Sequence, residues 1–149
     1  MVGRDVTDAG LLKLAARDAA DLGIISSVLQ DALVPLSDML WLPDDRRFVI
    51  AVNRFRWERG ASGERVAAGV SFEQIDAVKR RNLDSAQVDG FLNLLSVTVH
   101  PDESGGDGGA TILLTFAGDA AIRLESASLL CHLEDFGEPW PTQWRPDHA

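Results

Sequence analysis

The stretch Trp41-Leu-Pro-Asp-Asp-Arg-Arg-Phe-Val-Ile-Ala-Val-Asn-Arg-Phe-Arg-Trp57 decides how this chain is read. Met39, Leu40, Trp41 and Leu42 make a short apolar run. Pro43 then supplies the fixed φ of a turn, and Asp44 and Asp45 have side chains that bond their own backbone there, so a second strand should return along the first. In that second run Phe48, Ile50 and Val52 alternate with Arg47, Val49, Ala51 and Asn53, the period of a strand with one buried face. After Asn53 the pattern changes, because Arg54 and Arg56 take the positions the apolar residues held. The reading there is a bulge near Asn53 or a strand that leaves the core.

Toward the N-terminus the signals are mixed. Residues 1–9 are polar and unpatterned and read as a loose end, and Leu11, Leu12 and Leu14 open a short strand. Asp18 is a helix N-cap residue, and Asp21 adds negative charge where the helix dipole favours it. Leu22, Ile25, Leu29, Ala32 and Leu33 follow at three- and four-residue steps, which predicts one helix running until Pro35 stops it. Toward the C-terminus, strand patterns cover Val66 to Phe72, prolonged by Ile75 and Val78, then Phe91 to His100, Thr111 to Phe116, Ala121 to Glu125 and Leu129 to Leu133. The Gly-rich 101–109 reads as a mobile hairpin tip, and 137–149 as a Pro/Trp tail. One echo leaves a duplication open: a strand ending in Val70 and Phe72 and followed by Ile75 resembles one ending in Leu124 and followed by Leu129. The expected fold class is α+β in a single domain, 1–149. An N-terminal strand and helix pack on a curved, mostly antiparallel sheet of six to nine strands, wrapped as a half-barrel.

Composition bounds the rest. A chain of 149 residues buries roughly 70% of its unfolded-state surface and needs no metal or disulfide as a staple. The single cysteine, Cys131, has no internal partner, the N-terminus lacks the apolar core of a signal peptide, and no apolar run is long enough to span a bilayer. These features predict a cytoplasmic protein. A net charge of −9 disfavours nucleic acid and anionic membranes, yet the charge is unevenly placed. Between Arg46 and Arg81 nine basic residues face four acidic ones, a local +5, and the rest of the chain carries −14.

The order Leu11 to Ala16, Arg17-Asp-Ala-Ala-Asp-Leu22, Leu29-Gln-Asp-Ala32, Phe48 to Trp57 with its Asn53-Arg54-Phe55, Phe116-Ala-Gly118 to Leu124, and Leu133-Glu-Asp135 through Pro146-Asp-His148 is similar to a family of small bacterial proteins known only as a domain of unknown function. The resemblance covers nearly the whole chain. It implies no activity and transfers no site.

The candidate residues therefore come from chemistry alone. Arg54 and Arg56, two apart on a strand with Phe55 and Trp57 between and beyond them, read as a basic face able to hold phosphates or an acidic partner, with Arg47 at the start of the same strand. The competing reading is that these arginines solvate an edge strand and discourage edge-to-edge pairing. Trp140 and Trp144, large apolar groups in a proline-stiffened segment, should dock on this chain or on a second copy. Cys131 and His132 are adjacent on a strand and point to opposite faces, which does not make a nucleophile and its base. The histidines have no metal-ligand spacing, so the expectation is no metal and no cofactor. The leading reading is a non-enzymatic binding or assembly module, with an acidic protein or another copy of itself as partner. The alternatives are a small enzyme whose anionic substrate is held by Arg54 and Arg56, and a weak RNA binder.

Overall fold

The computed structural model describes residues 3–6, 11–58, 63–83, 90–101 and 109–141. The two runs of the opening hairpin are strands β4, Met39–Leu42, and β5, Arg47–Phe55, joined by a 3-10 turn over Pro43–Asp45. Trp41 faces Phe48 and Leu42 faces Arg47 across the pair. Arg46 closes the turn in the left-handed region (φ 51°), its N–H donating to the Pro43 carbonyl.

Around this hairpin lie β1 (Gly3–Val6), β2 (Leu12–Ala16), helix α1 (Ala19–Val28), β3 (Ala32–Pro35), β6 (Glu64–Phe72), β7 (Ile75–Arg81), β8 (Phe91–Pro101), β9 (Ala110–Phe116), β10 (Ala120–Ser126) and β11 (Cys131–Pro141). The fold is α+β: the described residues form one α-helix on an open antiparallel sheet of eleven strands, more than the six to nine expected. The strand path runs β1-β2-β11-β6-β5-β3-β8-β9-β10-β7, with β4 beside the first half of β5. β3 makes the join: it meets β5 only at Leu33 and Asn53, and pairs with β8 along its length. The helix packs against β2 and β8, which lie on the two sides of that join, so the curved sheet wraps around it.

Four expectations are corrected by the chain's path. The polar start is not wholly loose, since Gly3–Val6 pairs with β2. The helix ends at Leu29, not Pro35: Asp31 adopts a left-handed conformation (φ 62°), and Ala32 and Val34 continue the apolar stripe as the buried face of a strand. Ile75 and Val78 do not prolong β6. Gln74 turns the chain at φ 58°, and β7 crosses to pair with β10. Finally, the last strand runs on through Pro141, with a register shift after Phe136 where Gly137 takes φ 75°.

The pattern echo has a counterpart in the pairing. β5/β6 and β9/β10 are hairpins, and the strand after each pairs with the second strand of the other, β7 with β10 and β11 with β6. One contiguous core fills the concave side, built from Leu22 and Ile25 of the helix and inward residues such as Phe48, Ile50, Val70, Phe72, Ile112, Leu114, Ile122 and Leu133. No helix among the described residues is long and apolar enough to cross a membrane.

Candidate functional site

The inward face of β5 reads Phe48, Ile50, Val52 and then Arg54, and register with β6 is unbroken from Phe48 to Phe55. There is no bulge at Asn53: the alternation continues, with a cation in a core position. Arg54 is fully buried. Its Nε and Nη2 donate to the two carboxylate oxygens of Asp135 at 2.8 and 2.6 Å, and its Nη1 and Nη2 donate to Glu58 at 2.9 and 2.7 Å. Nη1 also reaches the Phe55 carbonyl at 3.2 Å. Two bidentate carboxylate contacts take up the fork of the guanidinium. Asp135 accepts in addition from the Leu12 amide at 2.9 Å, so the cluster ties β5, β11 and the start of β2 together at one end of the core.

Burial would lower the Arg54 pKa, but the hydrogen bonds it donates to Asp135 and then Glu58 more than offset that and hold the group above its ordinary value. At Glu58, burial pushes up and the Arg54 hydrogen bonds pull down, leaving the carboxyl below its usual range. A depressed folded-state pKa contributes stability that is present above the unfolded value and lost as pH falls through the folded one. The urea midpoint should therefore decline as pH drops below about 4.5, and Glu58→Gln should flatten that decline while costing roughly 1–2 kcal/mol at pH 7. An equally steep acid limb in the variant would show that other groups set it.

The exposed strand face expected of Arg54 and Arg56 is thus corrected: both are buried, and the half of β5 that carries Arg54 lies between β6 and β3, not at an edge. Arg56 donates through Nη1 to Glu64 at 3.0 Å. Trp57 is half-buried, donates from Nε1 to the Gln30 carbonyl at 3.0 Å and stacks at a tilt on Phe55, 4.7 Å between centroids. Arg47 stays exposed, with Nε 2.9 Å from the Glu73 carboxylate. Trp140 lies on β11 opposite Arg65 of β6 and remains 38% exposed. Trp144 and the rest of 142–149 lie outside the described residues, as do 102–108 of the expected hairpin tip.

The basic residues that gather on the surface are others. β7 sends Lys79 and Arg81 outward, and register across the sheet sets Lys79 opposite Arg123 of β10, which stands opposite Leu113 of β9. The next row along is Glu125, Thr111 and His100. Of these, Lys79, Arg81, His100, Thr111, Leu113 and Arg123, together with Arg80 and Ala121, line an open recess of about 620 Å³. Arg80 and Arg81 were visible in the sequence as part of a basic run. Arg123 and His100 were not, since only strand register brings residues so distant in sequence beside them. A smaller depression of about 290 Å³ lies on the outer face of β5, β6 and β11, around Gly69, Ser71, His132, Glu134 and the exposed Phe136.

Cys131 is buried, which raises its thiol pKa, and His132 is exposed on the other face of β11. Among the described residues no group of three or more His, Cys, Asp or Glu could hold a metal ion. Compared with known proteins, residues 12–148 match the model of a family described as a protein of unknown function, DUF2948. No curated protein and no solved structure matches the chain.

Proposed function

The chain belongs to the DUF2948 family, whose description assigns no activity, and from its geometry we propose that it is a non-enzymatic binding module that takes an anionic ligand on the outer face of β7, β10, β9 and β8. One observation carries this reading: Lys79, Arg81, Arg123 and His100, drawn from three strands, converge on one open recess of about 620 Å³ in a chain whose net charge is −9. Clustered cations on an acidic protein are a local attractor for anions that the overall field does not provide. The basic strand face is that of β7 and β10. Arg54 and Arg56 stiffen the scaffold instead, their donors turned to carboxylates of the protein. The buried thiol of Cys131 and the opposite orientation of His132 favour binding over nucleophilic catalysis.

Titration with inorganic pyrophosphate, followed by amide chemical shifts, should move Lys79, Arg81, His100, Leu113 and Arg123 saturably. The double variant Lys79→Gln with Arg123→Gln should weaken binding at least about tenfold, since each removes a charge-assisted hydrogen bond. Both side chains are largely exposed, so its melting temperature should be unchanged. Shifts that fail to saturate, or that centre on Arg47, would refute the assignment of the recess.

A further inference from the structure

Lys79 and Arg123 stand directly opposite each other on adjacent strands, an arrangement that costs stability when two like charges face. Glu125 relieves it. It lies two residues beyond Arg123 on the same face, and its Oε1 is 3.3 Å from Lys79 Nζ and 3.1 Å from Arg123 Nη2. Arg81, the next outward residue of β7, is 3.3 Å from Asp119, whose side chain is 80% exposed at the turn before β10. Three cations of the recess, Lys79, Arg123 and Arg81, are therefore already paired with carboxylates of the chain that stand beside it.

We propose that the ligand ends in a phosphate monoester dianion and that Glu125 is the group it displaces; this rests on the anion-binding reading above. Glu125 belongs to the chain, so its effective concentration at the two cations exceeds that of a dilute free carboxylate of the same charge. A monoanion exchanged for it gains nothing. A phosphate monoester carries a charge of about −1.5 to −2 at pH 7 and three acceptor oxygens, enough to engage Lys79, Arg123 and Arg81 together. The displaced Glu125 turns toward Thr111, its neighbour across β9. Leu113 and Ala121 offer an apolar floor, and the recess is far larger than a phosphate group, which leaves space for an organic part beyond the ester. Among the described residues its lining contains no Phe, Tyr or Trp, and the His100 imidazole is its one ring, so a nucleobase finds no broad stacking platform.

The test compares acetate, inorganic phosphate, glycerol 3-phosphate and AMP on the full chain and on Glu125→Gln, by calorimetry and amide shifts. Wild type should bind glycerol 3-phosphate more tightly than inorganic phosphate, bind AMP no more tightly than glycerol 3-phosphate, and fail to bind acetate. Glu125→Gln should tighten glycerol 3-phosphate roughly threefold, the effect of removing one exposed ion pair, and should gain acetate binding. Equal affinity for inorganic phosphate and glycerol 3-phosphate would overturn the ester and leave free phosphate as the ligand. Tighter binding of AMP would overturn the empty floor. Anion binding that Glu125→Gln leaves unchanged would overturn the displacement while sparing the proposed function. Silence toward every anion in both proteins would defeat the proposed function itself.

Discussion

Arg54→Met should destabilise the protein by about 3–5 kcal/mol, the cost of stranding a buried charge by removing its partner. Methionine fills much of the volume of the arginine stem, so the loss is electrostatic and not a cavity. Asp135, its side chain fully buried, would keep only the Leu12 amide as a donor among the contacts that define the cluster. For a chain of this length the change corresponds to a fall in melting temperature on the order of 10 °C. Pairing Arg54→Met with Asp135→Leu should recover part of the loss, because two apolar residues pack where two charges were desolvated. Recovery stays incomplete, since the Leu12 N–H then lacks its acceptor at a cost of roughly 1–3 kcal/mol. Arg54→Lys does not substitute for the double variant, because an ammonium cannot make two bidentate contacts at once. Urea denaturation of the four proteins closes the cycle, and a single variant within 1 kcal/mol of wild type would mean the cluster is incidental to folding.

The same arginine shows where the sequence stops being readable. Alternation of Phe48, Ile50 and Val52 identified the buried face of β5, and Pro43-Asp-Asp45 identified the turn before it, because both signals lie within a few residues of each other. At Arg54 the pattern looked broken only because its partner Asp135 is 81 positions away. Composition alone could not separate a solvated arginine from a neutralised one. The helix was overextended for a related reason: Ala32 and Leu33 fit the spacing of the stripe, but in the strand that Asp31 begins Ala32 is buried and Leu33 pairs across to Asn53. The recess followed the same rule in reverse. Lys79-Arg80-Arg81 was legible as charge, whereas its meeting with Arg123 depends on β7 leaving β6 to join β10, a crossover that Gln74 permits and that no local pattern announces.

That crossover is also where a core truncation should hurt most. Phe72 is fully buried at the end of β6, opposite Phe48 on one side and Cys131 on the other. Its ring lies 6.4 Å from that of Phe48, tilted by 39°. One residue on, the Glu73 amide bonds the Leu130 carbonyl at 2.9 Å, and the Ile75 amide bonds the Arg46 carbonyl at 2.8 Å. These bonds hold the backbone just after Phe72, and ladder pairing with β5 and β11 holds Phe72 itself, so the walls of a new cavity have little freedom to close over it. Phe72→Ala should therefore cost about 3–5 kcal/mol, toward the upper end of that range for large-to-small core changes. Phe91→Ala, at a site 61% exposed, should stay within about 0.5 kcal/mol of wild type. Because Phe48 and Phe72 share one contact, Phe48→Leu and Phe72→Ala should combine to less than the sum of their separate losses. Denaturation midpoints of the four variants decide it: strict additivity would show that the two rings pack independently, and a Phe72→Ala loss below 2 kcal/mol would show that the corner between β6 and β7 relaxes into the space the ring leaves.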